Sequence, residues 1–167
     1  MLEVAADSEA AFVELVQRHQ KSLLNFFGRL GASSDSEDLV QETFVRLFRA
    51  RRQYRPTARF TTFLYVLARN VWADRGRKIV RFERLSAGLQ KEAEIHGPSA
   101  PAANGDSLDI DAALDQLSSK LREVIVLNIY QGLRYQEIAD ILGIPLGTVK
   151  SRINLAIQAL REILDER

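Results

Sequence analysis

Cysteine is absent from this chain of 167 residues, which removes disulfides and thiolate metal sites together. Histidine stands only at His19 and His96, leaving little for nucleophilic or general-base chemistry. No apolar run approaches the roughly 18 residues of a membrane span. The opening residues Met1-Leu2-Glu3-Val4-Ala5-Ala6-Asp7 lack the basic start and apolar centre of a secretory signal. No stretch carries a strand pattern, and no segment repeats. A helical protein of the cytosol is expected, with no cofactor, no metal, no small-molecule substrate and no catalytic residues. Hydrophobic content of 46% and charged content of 27% are ordinary for a globular chain, and the length suits one medium domain or two small ones.

The net charge of +1 hides an uneven distribution. Between Glu42 and Arg84 stand twelve basic residues, opposed only by Glu42, Asp74 and Glu83. That stretch carries +9 and the remainder −8, a field that attracts a polyanion such as nucleic acid. A solvated helix surface shows the same charges, so the pattern alone does not decide.

Phe12, Leu15, Val16, Leu23, Phe26, Phe27 and Leu30 recur with the period of a buried helix face, and Gly31 follows where a left-handed cap belongs. Ser34-Asp35-Ser36-Glu37 has capping-box spacing with Ser34 as N-cap. The helix it opens should bury Leu39, Val40, Phe44, Leu47 and Phe48 and end near Arg52. Pro56 interrupts helicity, so Tyr54 to Phe60 reads as a loop. A third helix begins near Thr61, buries Phe63, Leu64, Leu67 and Val71, and continues past Gly76. Leu85 to Ile95 fits either a short helix attached to this module or the approach to a linker. Gly97 to Asp106 is rich in Gly, Pro, Ala, Ser and Asn, the composition of a flexible connection. Helices are then expected over Leu108–Leu117, Ser119–Tyr130, Arg134–Leu142 and Leu146–Leu164. The fold class is therefore all-α: residues 1–84 form one small helical domain, 85–107 a linker and 108–167 a second domain.

The strongest local signal runs from Tyr135 to Ile153. A helix-turn-helix needs a short first helix, a sharp turn and a second helix that enters the major groove. Ala139 is small where the helices must approach, and Gly143 suits the turn. On a wheel of the second helix, Val149, Ile153, Ala156, Ile157 and Leu160 share one side. Thr148, Ser151, Asn154 and Gln158 lie opposite, with Lys150 and Arg152 on the shoulders. A polar centre flanked by cations suits base edges between two phosphate walls. Leu155 sits in this polar face, where it can touch a thymine methyl or a partner protein; the reading needs neither.

Two stretches together resemble the sigma-70 family, specifically its small extracytoplasmic-function (ECF) group. One is Asp35-Ser36-Glu37-Asp38-Leu39-Val40-Gln41-Glu42-Thr43-Phe44, followed by Phe60-Thr61-Thr62-Phe63-Leu64-Tyr65-Val66-Leu67-Ala68-Arg69-Asn70 and Asp74-Arg75. The other is the helix-turn-helix with Gly147-Thr148-Val149-Lys150-Ser151-Arg152. The resemblance implies a sigma region two bundle joined to a sigma region four helix-turn-helix, with no region three between them. The implied function is promoter-specific initiation by a factor bound to core RNA polymerase. Asp38, Gln41, Glu42 and nearby Arg46 would then face the clamp of the β′ subunit, the C-terminal module the β flap. The first three lie at i, i+3 and i+4, on one helix face.

The resemblance also assigns Tyr54, Thr57, Arg59, Phe60, Tyr65, Arg69, Trp72 and Arg75 to the minus-ten element. Melting without nucleotide hydrolysis requires capture of an unstacked base, so that binding of the open strand offsets unpairing. Tyr65, Arg69 and Trp72 form an aromatic-basic-aromatic row at i, i+4 and i+7, although Trp72 suits a core position equally well. Thr148, Lys150, Ser151, Arg152, Asn154 and Gln158 are assigned to the minus-thirty-five element. Relatives usually have Trp where Phe63 stands and often an aromatic or basic residue at Asn154 and Leu155, so the motif leaves the promoter sequence open. ECF relatives are usually held by an anti-sigma factor, an implied partner here. The nearest rival is a LuxR-type regulator, whose upstream receiver or ligand-binding domain would show strands. A nucleic-acid enzyme is the other; His19 lies among apolar residues, and Asp109, Asp111 and Asp115 suit a helix N-terminus better than a metal.

Overall fold

The computed structural model describes residues 1–32, 34–87 and 105–165, with the side chains at 86–87 and 105–109 excepted. Residues 97–104 of the expected linker and 88–95 of Leu85–Ile95 lie outside the described residues; Gly105 and Asp106, expected in the linker, instead open a helix three residues ahead of the expected start at Leu108. Among those described there are eight α-helices and no strand: α1 (Leu2–Ala5), α2 (Glu9–Arg29), α3 (Ser36–Ala50), α4 (Phe60–Ala87), α5 (Gly105–Gln116), α6 (Ser119–Ile125), α7 (Tyr135–Leu142) and α8 (Leu146–Asp165). The short α1, which the apolar periodicity does not announce, tucks Val4 under α2.

Helix α2 starts at Ser8, whose hydroxyl accepts from the Ala11 N–H at 3.3 Å. It ends on Gly31 at φ +98°, as expected. There the Ala32 N–H bonds Phe27 O and the Gly31 N–H bonds Gly28 O, both at 3.0 Å, a paired closure that a left-handed residue makes possible. Helix α3 starts one residue later than the capping box suggests. Its N-cap is Asp35, whose carboxylate is drawn away to Arg75, while Ser34 donates to Asp35 at 2.9 Å instead of capping. Phe48 is also a correction: expected in the core, it is 40% exposed at the rim of α3, with the Arg51 guanidinium 3.8 Å above its ring.

Helices α2, α3 and α4 pack around Leu23, Phe26, Phe27, Leu47 and Leu64, all fully buried. Thr43 is equally buried and satisfies its hydroxyl on Leu39 O at 2.7 Å. Phe26 is central, with edge-on contacts to Phe27 and Tyr65 at 5.2 and 5.3 Å. Replacing it with alanine removes those contacts and leaves a cavity. Phe26→Ala should cost about 3–5 kcal/mol in chemical denaturation, and a loss under 1.5 kcal/mol would contradict this packing.

In the C-terminal half, α8 lies across α5, α6 and α7 over Leu114, Val124, Ile138, Val149 and Ile153. The helix expected through Tyr130 instead stops at Ile125 and widens into a π-helical turn, Val126–Tyr130, closed by the Gln131 N–H on Val126 O at 3.2 Å. Asn128 fastens the turn by donating to Leu133 O at 3.0 Å. This turn and α7 lie against α2 and α4, so one continuous core joins the two halves.

Candidate polymerase and promoter interfaces

On α3, Asp38 and Gln41 are exposed and neither makes a side-chain hydrogen bond or ion pair among the described residues. Glu42 and Arg46 are differently placed. Arg46 donates to Glu42 and to Asp74, each at 2.7 Å, and so ties α3 to α4. The four residues expected to face polymerase thus divide into a free pair and a pair committed to the fold. Exposed Val45 and Phe48 continue the free face into an apolar groove of about 790 Å³ lined also by Phe12, Val16 and Phe44. Sequence analysis gives neither residue a role in this face: Phe48 reads as core by its helical spacing, and Val45 falls outside the buried stripe.

The eight minus-ten candidates do not form one exposed surface. Thr57 and Arg59 are exposed in the loop before α4. Tyr54 is turned inward, its ring 5.1 Å from Phe63 and 6.4 Å from Phe60. Phe60 is half-buried against His19 at 5.2 Å, and burial lowers the pKa of that imidazole, favouring its neutral form. Tyr65 is only 3% exposed and donates its hydroxyl to Gln131 at 2.5 Å, so the expected aromatic-basic-aromatic row is broken at its first member. Trp72 is half-buried on the core, with the Arg75 guanidinium 5.2 Å from its ring. Arg75 makes two bonds to Asp35, at 2.6 and 2.9 Å.

Those bonds hold the Asp35 carboxyl below its ordinary pKa of 3.8. A depressed carboxylate stabilises the fold above that ordinary value, and the contribution fades as acid takes the pH through the lowered one. Asp35→Asn should therefore lower the melting temperature at neutral pH and narrow its gap to the parent below about pH 3. An equal gap at both pH values would count against the pair.

The helix-turn-helix forms as the sequence indicates. Glu137 in α7 accepts from the Arg134 N–H at 2.9 Å, satisfying the helix start. Gly143 takes φ +64° and lets the Ile144 N–H close on Ala139 O at 3.2 Å. Helix α8 buries Val149, Ile153 and Ala156 and leaves Lys150, Ser151, Asn154, Leu155 and Gln158 exposed, with Thr148 half-buried. Arg152 turns toward α6, half-buried within electrostatic reach of Glu123.

Several polar contacts join the halves. Arg29 pairs with Asp111 and lies 3.7 Å over the Tyr130 ring. Arg69 pairs with Glu123 at 3.4 Å, and Arg59 with Glu137 at 3.5 Å. Burial pushes the Glu123 carboxyl up, against the pull of Arg69 and Arg152. The buried side-chain atoms without a hydrogen-bond partner, among the described residues, are Arg69 Nε, Arg122 Nε, Gln131 Nε2 and Glu137 Oε1. All four belong to residues at this junction: a Cβ on Gly31 would stand 3.3 Å from the Arg122 guanidinium. Arg69 Nε and Glu137 Oε1 nonetheless face Glu123 and Arg59 in the ion pairs, so the atoms with neither hydrogen bond nor charge partner are Arg122 Nε and Gln131 Nε2, at a cost of about 1–3 kcal/mol each.

Comparison with known proteins fits this geometry. Residues 15–82 match the profile of sigma-70 region 2 and residues 107–160 that of sigma-70 region 4. The chain is 37% identical over 167 residues to the ECF RNA polymerase sigma factor SigL of Mycobacterium tuberculosis, an alignment covering 97% of this chain and 94% of that protein. It is 38% identical over 157 residues to the ECF sigma factor SigE of Mycolicibacterium smegmatis, covering 90% of this chain but 60% of that protein. The sigma factor RpoE of Bartonella quintana, crystallised with the anti-sigma factor NepR, superposes with a TM-score of 0.78 at 28% identity, over 93% of this chain and 97% of that one. The chain belongs to the ECF group of the sigma-70 family.

Proposed function

We propose that this protein directs core RNA polymerase to a two-part promoter, with its own residues divided as follows. Residues 1–84 bind the β′ clamp through Asp38 and Gln41 and take up the opened minus-ten strand around Thr57, Arg59, Phe60 and Arg69. Residues 108–167 meet the β flap and place Lys150, Ser151, Asn154 and Gln158 in the major groove of the minus-thirty-five element. The chain works in the cytoplasm without catalytic chemistry of its own, leaving phosphodiester synthesis to the polymerase. By analogy with the neighbour crystallised with NepR, an anti-sigma protein is the proposed inhibitor.

The observation that carries this reading is the exposed polar face of α8, set by the Gly143 turn, on the same chain as an exposed, unpaired Asp38–Gln41 face. A free-standing regulator needs only the first. The test is transcription from a fragment library with core polymerase alone or supplemented with the chain. Discrete start sites that appear only with the chain are expected. Specific duplex binding with no effect on polymerase would favour a free-standing regulator and overturn the proposal.

A further inference from the structure

Resting on that reading, we propose that Asp7 is a positioning residue for promoter opening: its carboxylate clamps Arg51 and Arg52 and so presets the loop that takes up the opened strand. Asp7 lies in the turn between α1 and α2. It accepts from Arg51 Nε at 2.7 Å and from Arg52 Nη2 at 2.6 Å, 44 and 45 positions along the chain. Arg51 is held at two further points: it donates to Phe48 O at 2.8 Å, and its guanidinium lies over the Phe48 ring. Its side chain is only 18% exposed, so the clamp is better shielded than an ordinary surface ion pair, which contributes little. Among the described residues, Asp7 is also the one non-glycine with positive φ, at +64°. Asn and Gly are equally at home in that left-handed conformation, so the turn alone does not call for a carboxylate.

The clamped arginines belong to a 3-10 turn, Arg51–Gln53, which joins α3 to the minus-ten loop. That loop is thinly held. The Tyr54 N–H reaches back to Arg51 O at 3.4 Å, and the Thr57 N–H bonds Arg55 O at 2.8 Å. Arg59 O accepts from Phe63 at the start of α4, and among the described residues no backbone bond ties the loop to any other part of the fold. Its first half is therefore placed by two side-chain anchors. One is the Tyr54 ring, turned onto Phe60 and Phe63; the other is Arg51, fixed by Asp7. The functional weight of the clamp follows from the energetics of opening. No nucleotide hydrolysis drives the step, so capture of the strand must offset unpairing. Any ordering of the loop at that moment subtracts from the same gain. A clamp that presets the loop removes that loss without touching DNA.

The test uses holoenzyme assembled from core polymerase and the full chain, on a promoter selected from the fragment library. Opening is followed by 2-aminopurine fluorescence in the minus-ten element, with holoenzyme concentration varied to separate initial binding from the maximal opening rate. Asp7→Asn and Asp7→Gly keep the left-handed turn and remove the charge. Each should lower the maximal rate about five-fold or more, the scale of a single hydrogen bond, at an unchanged half-saturating concentration. Arg51→Gln removes the other partner and should reproduce the loss, and adding Asp7→Asn to it should change little more, as for two members of one interaction. On a template pre-opened by mismatches across the minus-ten element, run-off transcript from saturating holoenzyme should match the parent's, because unpairing is no longer to be offset. A full maximal rate from both Asp7 variants overturns the proposal and leaves Asp7 to its turn. A deficit that persists on the mismatched template also overturns it, since a destabilised chain would fail on either template. Loss of polymerase assembly would assign the clamp to the neighbouring apolar groove and overturn it too. If Arg59→Ala and Phe60→Ala instead open the promoter at the parent's rate, the minus-ten reading on which the proposal stands is what fails.

Discussion

Replacing Asp38 and Gln41 together with alanine is expected to weaken assembly with core polymerase by about thirty-fold or more, the loss of roughly 2 kcal/mol that defines an interface hot spot. Both side chains are exposed on α3 and unpaired in the free chain, so their removal breaks nothing inside the protein. The melting temperature should stay within about 2 °C of the parent, as for other surface changes away from structural features. Glu42→Ala should behave differently. Arg46 keeps Asp74 at 2.7 Å when Glu42 is lost, so the fold survives, and a half-exposed carboxylate already engaged within its own chain has less to offer a partner. Val45→Asp probes the groove that continues the face: a charge set in an apolar patch should weaken assembly again with little loss of stability. Titration of labelled chain with core polymerase, beside thermal melts, separates these outcomes. Equal losses for Glu42→Ala and for the Asp38 and Gln41 pair would contradict the division of the face.

That division shows where the sequence is legible and where it is not. Periodicity located α2, α3, α4, α7 and α8 because each buries one stripe, and Gly31 and Gly143 marked ends at which only a left-handed residue closes the helix. The N-cap of α3 was misplaced because capping competes with a partner remote in sequence: Asp35 is claimed by Arg75, forty positions away. Phe48 was assigned to the core because spacing gives the angle of a side chain about its helix and nothing about what stands opposite. The π-helical turn left no trace in the apolar pattern, since widening by one residue keeps Val126 and Leu127 buried. Charge counting found the basic region of the first module. It gave no sign that acids of the second module would meet Arg59 and Arg69, because such pairing is a property of tertiary placement. Residue type announced the chemistry of the DNA-facing set; accessibility needed the fold.

Replacing Lys150 and Ser151 with alanine should abolish or redirect recognition of the upstream promoter element. Both residues are exposed on the first turns of α8, where a recognition helix brings its N-terminal residues to base edges. Ser151 donates to Thr148 O at 3.1 Å in the free chain and can exchange that bond for a base acceptor at little cost. Lys150 has no ion pair among the described residues, so its ammonium is available to a guanine edge or a phosphate. A good base-edge contact is worth about 1–3 kcal/mol of discrimination, so two losses together, about 2 kcal/mol at the least, predict a drop of about thirtyfold or more in transcripts from promoters that depend on the upstream element. Arg152→Ala is the informative companion. Its side chain is half-buried toward Glu123, so in the free chain its loss should relax the junction rather than strip the groove face. Mapping start sites across a randomised upstream element distinguishes the roles. Lys150 and Ser151 should change which sequences are selected, and Arg152 mainly how strongly all of them are used. Unchanged selection by the Lys150 and Ser151 double variant, with polymerase assembly intact, would place the reading face elsewhere on α8, with Asn154, Leu155 and Gln158 as the exposed residues left to carry it.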